Sequence, residues 1–256
     1  MVRPADPEWH AIREKIYDAI VEGFLEHNKQ SEEARKNIDL NICGHNLPLT
    51  YILRLGERTV LTKETLSKNK AKYMNNLADA TPAEEDRNLL LAALDENGKC
   101  AGYIIANERT EDGKELADID LVCSFSGIGG GLFKYLTDHL GDKDEVRLNA
   151  VMTVLYFYNN RQFKFGDACD TPHVVPDKKL QITDRYWHSA VQTKQLPAEL
   201  YRKLKAFYDE GILYTLDTPS CNKMKTFDKV YDSGRCFEGV KMIWCPKHKN
   251  WKVPAP

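Results

Sequence analysis

The sequence predicts a mixed α/β (α+β) fold, a mainly antiparallel sheet flanked by helices, and three observations predict it. Leu89–Leu94, Ala101–Ala106 and Leu116–Cys123 are apolar strand patterns joined by Asp95-Glu96-Asn97-Gly98 and by Asp112-Gly113, which are hairpin turns. The third strand then runs through a glycine cluster into a helical pattern, with Leu132, Phe133, Leu136 and Leu140 on one face. After it, Glu145 to Asn149 reads as another strand, and Val151, Val154, Leu155 and Tyr158 lie along a second helix. The order is βββ-loop-α-β-α.

Ahead of this region, Asp6 reads as an N-cap with Pro7 at the first helical position, and Trp9, Ile12, Ile16 and Ile20 form an amphipathic stripe that packs on the domain. Ile38 to Ile42 and Tyr51 to Leu55 read as short strands, and Thr62 to Leu77 as a polar helix. The acidic, proline-containing stretch Ala80 to Asp86 is a connector. Residues 1–80 are therefore expected to form a helical N-terminal segment, and 81–256 the core. Within that core 171–239 reads as long and irregular, with a helix from Pro197 to Asp209 stopped by Gly211, and Val240 to Cys245 is a last strand.

Composition narrows the partners. Lys plus Arg number 36 against 38 Asp plus Glu in 256 residues, a net charge of -2, so no broad nucleic-acid or membrane surface is expected. The opening residues carry no apolar signal segment, and no apolar run approaches the roughly 18 residues of a membrane span. A soluble, cytoplasmic protein is the expectation. The seven cysteines are odd in number, scattered and never spaced CxxC, which predicts reduced thiols. Cys43 with His45 and Cys245 with His248 match no zinc pattern, so no metal is expected.

The glycine cluster carries the chemistry. Gly127, Gly129, Gly130 and Gly131 lack a Cβ, so a ligand can approach the backbone closely. The first free N–H groups of the following helix, together with the positive end of its dipole, favour a pyrophosphate. The dinucleotide fingerprint fails because Leu132 occupies its third glycine, and a Walker loop fails because Lys134 is followed by Tyr135.

With this element order, Leu89 to Gly166, and more weakly the chain to Cys245, resembles the GNAT superfamily of N-acetyltransferases. That family writes its acetyl-CoA loop Q/R-x-x-G-x-G/A. Here the loop is Ser124-Phe125-Ser126-Gly127-Ile128-Gly129, with Ser124 in place of Gln or Arg. The family often ends the next helix F-Y-x-x-x-G-F, and Phe157-Tyr158-Asn159-Asn160-Arg161-Gln162-Phe163 keeps all but the glycine, which is Gln162. The resemblance implies splayed central strands, acetyl-CoA as co-substrate and direct transfer of its acetyl group to a primary amine on a small molecule or protein. It implies that Leu121, Val122 and Cys123 pair with the pantetheine arm, and that Gly127, Ile128, Gly129, Gly130 and Gly131 cradle the pyrophosphate.

An ammonium acceptor, with a pKa of about 10.4 for a lysine-type amine, must lose a proton before it attacks. Asp118 and Asp120 alternate along the third strand and face one side, so Asp118 is the first candidate base and Asp120 the second. Tyr158, matching the tyrosine of the aromatic pair, is the candidate acid for the departing sulfur. Cys123 has no evident His partner and reads as a buried thiol, not a nucleophile.

Two other readings stay open. Phe125-Ser126-Gly127-Ile128-Gly129-Gly130 also resembles the S-adenosylmethionine motif of cytosine-5 DNA methyltransferases, although Pro219 and Cys221 are not adjacent as that family's nucleophile motif requires. A non-catalytic module that binds CoA or a protein through the same fold is the other.

Overall fold

Turn chemistry sets the first strands. In the computed structural model, which describes residues 1–29, 62–71, 86–124, 128–150, 157–158, 161–166, 169, 198–215, 219–233 and 236–247, the chain divides into two compact units, Met1–Lys143 and Asp144–Pro256.

In the first unit β1 (Asp86–Leu94), β2 (Cys100–Glu111) and β3 (Lys114–Ser124) form an antiparallel meander. Asp95 Oδ1 accepts from the Asn97 and Lys99 backbone N–H groups at 2.9 Å, and Gly98 takes φ +73° to close the first turn. At the second turn Asp112 and Gly113 both take positive φ, +52° and +75°, the conformation that matches the twist of a tight hairpin. The second turn carries β2 and β3 past the limits that hydrophobicity alone predicts, and β1 extends at its far end by pairing with β2.

Helix α1 (Trp9–Lys29) lays Trp9, Ile16, Tyr17 and Ile20 on this sheet, in one core with Leu90, Tyr103, Ile105, Leu121 and Cys123. It starts after the proposed cap. Asp6 instead accepts from the Arg3 N–H at 2.7 Å within a turn that holds Pro7, and Val2 pairs with Leu90 as an extra rung on β1. Of the polar helix expected from Thr62, α2 (Lys63–Lys68) is described, capped by Thr62 Oγ1, which accepts from Thr65 N at 3.2 Å. The strands expected at 38–42 and 51–55 lie outside the described residues. Helix α3 (Gly129–His139) follows β3 and buries Leu132, Phe133 and Leu136.

The second unit is built on β7 (Phe237–Trp244). Strand β4 (Glu145–Ala150) pairs with one edge of it over Val146–Ala150, and the other edge takes β5 (Lys164–Phe165) near one end and β6 (Leu213–Thr215) near the other, all antiparallel. Helix α4 (Ala198–Asp209) runs to Gly211, whose φ is +71°, and packs Phe207 at a tilt against Phe165 with ring centres 4.9 Å apart. The region expected to be irregular holds β6, a 3₁₀ turn at Cys221–Lys223 and helix α5 (Phe227–Ser233) as well as α4. All ladders within each unit are antiparallel, so the mixed, mainly antiparallel fold class stands.

The thiols overturn one expectation. Cys169 is bonded to Cys245 and Cys221 to Cys236, with Cα atoms 6.0 and 5.6 Å apart, and Cys123 is disulfide-bonded too. Cys100 is a buried free thiol. The pairs are separated by 76 and 15 residues and meet where β7 brings Cys245 and Cys236 alongside, a proximity no local spacing encodes. They withdraw the support that reduced thiols lent to a cytoplasmic location. No helix among the described residues is long and apolar enough to cross a membrane.

Candidate active site

The end of β3 departs from regular pairing at the residues the chemistry needs. Ile105 of β2 stands opposite Leu121 and the next residue, Ala106, opposite Ile119, so Asp120 is an extra residue in a β-bulge. A bulge places two consecutive residues toward one face and frees backbone groups from the ladder, and bulges recur beside active sites. Leu121 faces the α1 core with Ile105. Asp118 stands opposite Asn107, two residues along β2 from Ile105, and shares that face. Asn107 Nδ2 donates to Asp120 Oδ2, which brings Asp120 to the same side. The two carboxylates therefore do share a face, as alternation predicts, but only because the bulge shifts the frame between Asp118 and Leu121.

Asp118 is not idle. Arg109 Nη1 forms an ion pair with its Oδ2, and Arg109 Nη2 reaches Glu111 Oε2 at 3.3 Å. The Asp118 side chain is 25% exposed and that of Arg109 34%, so the pair sits at the edge of the buried core rather than in it.

Downstream, Gly127 with Phe125 and Ser126 lies outside the described residues. Ile128 is the N-cap of α3 and supplies no side-chain cap, and the first turn, Gly129, Gly130 and Gly131, holds no acidic residue. Its N–H groups precede the first intrahelical bond, Leu132 N to Ile128 O at 3.1 Å. A Cβ at Gly131 would meet nothing within 4 Å, so the backbone there is open. Ser124, in the Gln/Arg position of the resemblance, has a buried Oγ with no hydrogen-bond partner among the described residues. An orphan hydroxyl and an uncapped, acid-free helix start fit an anionic ligand.

Gly102 supports this corner. It pairs with Ser124, and a Cβ there would lie 3.0 Å from the Cys123 carbonyl oxygen and 3.3 Å from Ile128 Cδ1. Neither Gly102 nor Arg109 is marked in the sequence, because both act across the β2–β3 register. Cys123, placed here in a disulfide, is removed from any nucleophilic role.

Tyr158 belongs to the second unit. It is 7% exposed, packed edge-on to Phe157 and Phe163 at 5.2 and 6.0 Å. Burial pushes its phenol above the usual value of 10, and the opposing pull of Arg161 is weaker, so the hydroxyl keeps its proton at neutral pH. Arg161 stacks on the Phe157 ring at 3.6 Å and donates to the Phe157 carbonyl at 2.7 Å.

No protein-family model and no curated protein matches the chain. Among solved structures it is similar to an acetyltransferase from Bacillus cereus, at 13% identity over 44% of this chain and 85% of that one with a TM-score of 0.29. It is similar also to Tetrahymena GCN5, at 12% identity over 81% and 93% with a TM-score of 0.33. A third is the tetramutant of the BH1408 protein from Bacillus halodurans, at 15% identity over 61% and 94% with a TM-score of 0.32. A likeness at such TM-scores specifies no function, and the chain's own residues must do so.

Proposed function

We propose that the chain is an acetyl-CoA-dependent N-acetyltransferase of the GNAT type, transferring an acetyl group directly to a primary amine of a small molecule or protein. One observation carries this reading: an antiparallel meander ends in a bulged strand that leads to an uncapped, acid-free helix start at Gly129–Gly131. The cytosine-5 methyltransferase alternative needs its glycine loop at the first strand of a doubly wound parallel sheet, and β1, β2 and β3 are antiparallel.

When bound, the co-substrate supplies an acyl group activated as a thioester. Backbone N–H groups from Gly127 to Gly131 hold its pyrophosphate, and the Leu121, Val122 and Cys123 backbone serves the pantetheine arm. Asp118 takes the proton from the acceptor's ammonium, with Asp120 beside it on the same face. Tyr158, kept protonated by burial, donates to the sulfur as it leaves.

Thermal unfolding with acetyl-CoA, CoA and S-adenosylmethionine tests the reading. A ligand at a hundredfold excess over its Kd stabilises by about 2.7 kcal/mol, roughly 5–10 °C for a chain of this size. We expect shifts with both CoA species and none with S-adenosylmethionine. The reverse pattern would restore the methyltransferase, and silence from all three would favour a module that binds a protein.

A further inference from the structure

Arg109 stands opposite Leu116 in the β2–β3 ladder, two residues before Asp118 on the same face. Its guanidinium is forked. One terminal nitrogen meets Asp118 Oδ2 and the other Glu111 Oε2, two residues along its own strand. Asn107 meanwhile donates to Asp120. The candidate base is thus occupied by a cation, while a second carboxylate within reach of that cation, on a 52% exposed side chain, offers it another seat.

A carboxylate engaged by a guanidinium is poorly placed to take a proton from an ammonium, because both cations compete for the same oxygen lone pairs. The same pairing offsets the repulsion between Asp118 and Asp120 while no acceptor is present. We propose that Arg109 is a positioning residue that holds the place of the acceptor's ammonium: it pairs with Asp118 and swings fully to Glu111 when a cationic primary amine enters. The inference rests on the N-acetyltransferase reading for its biological meaning. Its chemistry does not depend on turnover, since no bond is made or broken and one cation replaces another at Asp118.

The chemical class of acceptor follows. An ammonium compact enough to take the guanidinium's place at Asp118 enters, whereas a neutral alcohol or thiol gains nothing from displacing Arg109.

The test is a titration of the 256-residue chain with n-butylammonium, following the Asp118 ¹³Cγ and Arg109 Nε–Hε signals by NMR, with Asp118→Asn used to assign the first. We expect both signals to move along one saturable curve in the wild type. Arg109→Gln should bind the amine about fivefold more tightly, the scale of a partly exposed ion pair, and Arg109→Lys, which keeps the charge, should stay within about twofold of wild type. Asp118→Asn should not bind. A saturating Asp118 response with a stationary Arg109 signal would overturn the proposal, as would equal or weaker affinity in Arg109→Gln, or no binding by either protein. Failure of the acetyltransferase reading is read separately, from the absence of any CoA-induced thermal shift.

Discussion

Strands β2 and β3 carry two carboxylate clusters, one on each face, and they differ in a way that separates structure from chemistry. Glu108 and Asp118 are neighbours across the ladder, Glu108 opposite Ala117 and Asp118 opposite Asn107, so alternation sends them to opposite sides. Glu108 is buried, its side chain 6% exposed, and bonded to two cations from distant parts of the chain: Arg3 Nε at 3.0 Å and Lys143 Nζ at 3.1 Å. Burial alone would raise its carboxyl, but Arg3 and Lys143 outweigh burial and hold it below the ordinary 4.5. On the other face Asp118 and Glu111 share the Arg109 guanidinium, and Asp120 accepts from the Asn107 amide, at a partly exposed edge. A buried carboxylate held by two cations, one of which, Lys143, also reaches Glu115 Oε2 at 3.5 Å, ties the amino terminus and the end of the first unit to the sheet. A guanidinium shared between Asp118 and Glu111, at a partly exposed edge, is arranged to exchange partners.

The sharpest way to break this contrast is to neutralise each carboxyl in turn. Glu108→Gln leaves the buried Lys143 beside an uncharged amide, with Glu115 at 3.5 Å as a longer partner, so the unfolding free energy should fall by about 2 kcal/mol in urea denaturation, while the CoA-induced shift per bound ligand is kept. The pH dependence has a definite sign. Because the folded carboxyl lies below its unfolded value, its contribution is fully present above about pH 4.5 and is lost as pH falls through the lowered folded value. Wild type should therefore lose stability below about pH 4.5 more steeply than Glu108→Gln does, and parallel curves would show that the network is not closed.

Asp118→Asn should do the opposite. The Arg109–Asp118 pair is partly exposed and Arg109 keeps Glu111 as a partner, so the unfolding free energy should fall by only about 1 kcal/mol. Loss of a general base should lower kcat for acetyl transfer to an amine by about a hundredfold or more, with CoA affinity retained. A variant that unfolds easily yet turns over normally would make Asp118 the structural carboxylate and erase the distinction.

How much of this was legible in the sequence depends on the range of the interaction. The turns at Gly98 and Asp112-Gly113 are local chemistry, and the meander they define could be read directly. The helix start at Gly129 is local too. Asp118 and Asp120 could be named because alternation is local, but the bulge that brings Asp120 round is set by pairing with β2, and so is the Arg109 contact. β6, three residues long, exists because β7 offers it an edge, so its own pattern is silent. The disulfides escape the sequence for the same reason: their partners are close in space and 15 and 76 residues apart in sequence.

Gln162 gives the smallest effect and the finest distinction. As a sequence departure it sits where the GNAT pattern has glycine, and such a departure counts against the resemblance if the backbone there is ordinary. It is not ordinary. Gln162 has φ +69°, and Phe163 N donates to Tyr158 O at 3.2 Å across it, the bond that closes a helix whose next residue turns left-handed. The backbone is the one glycine favours, so the chain keeps the shape and carries the wrong residue for it, at a cost of roughly 1–2 kcal/mol. The side chain is exposed, so nothing packed is lost by removing it. Gln162→Gly should raise the unfolding free energy by about 1 kcal/mol, some 2–4 °C in Tm, and leave acetyl transfer within about twofold, since Tyr158 keeps its seat. Gln162→Val, β-branched in the same conformation, should destabilise. A glycine variant less stable than wild type would mean that the Gln162 side chain holds the turn, and Gln162 would then count with Glu108 among the structural residues.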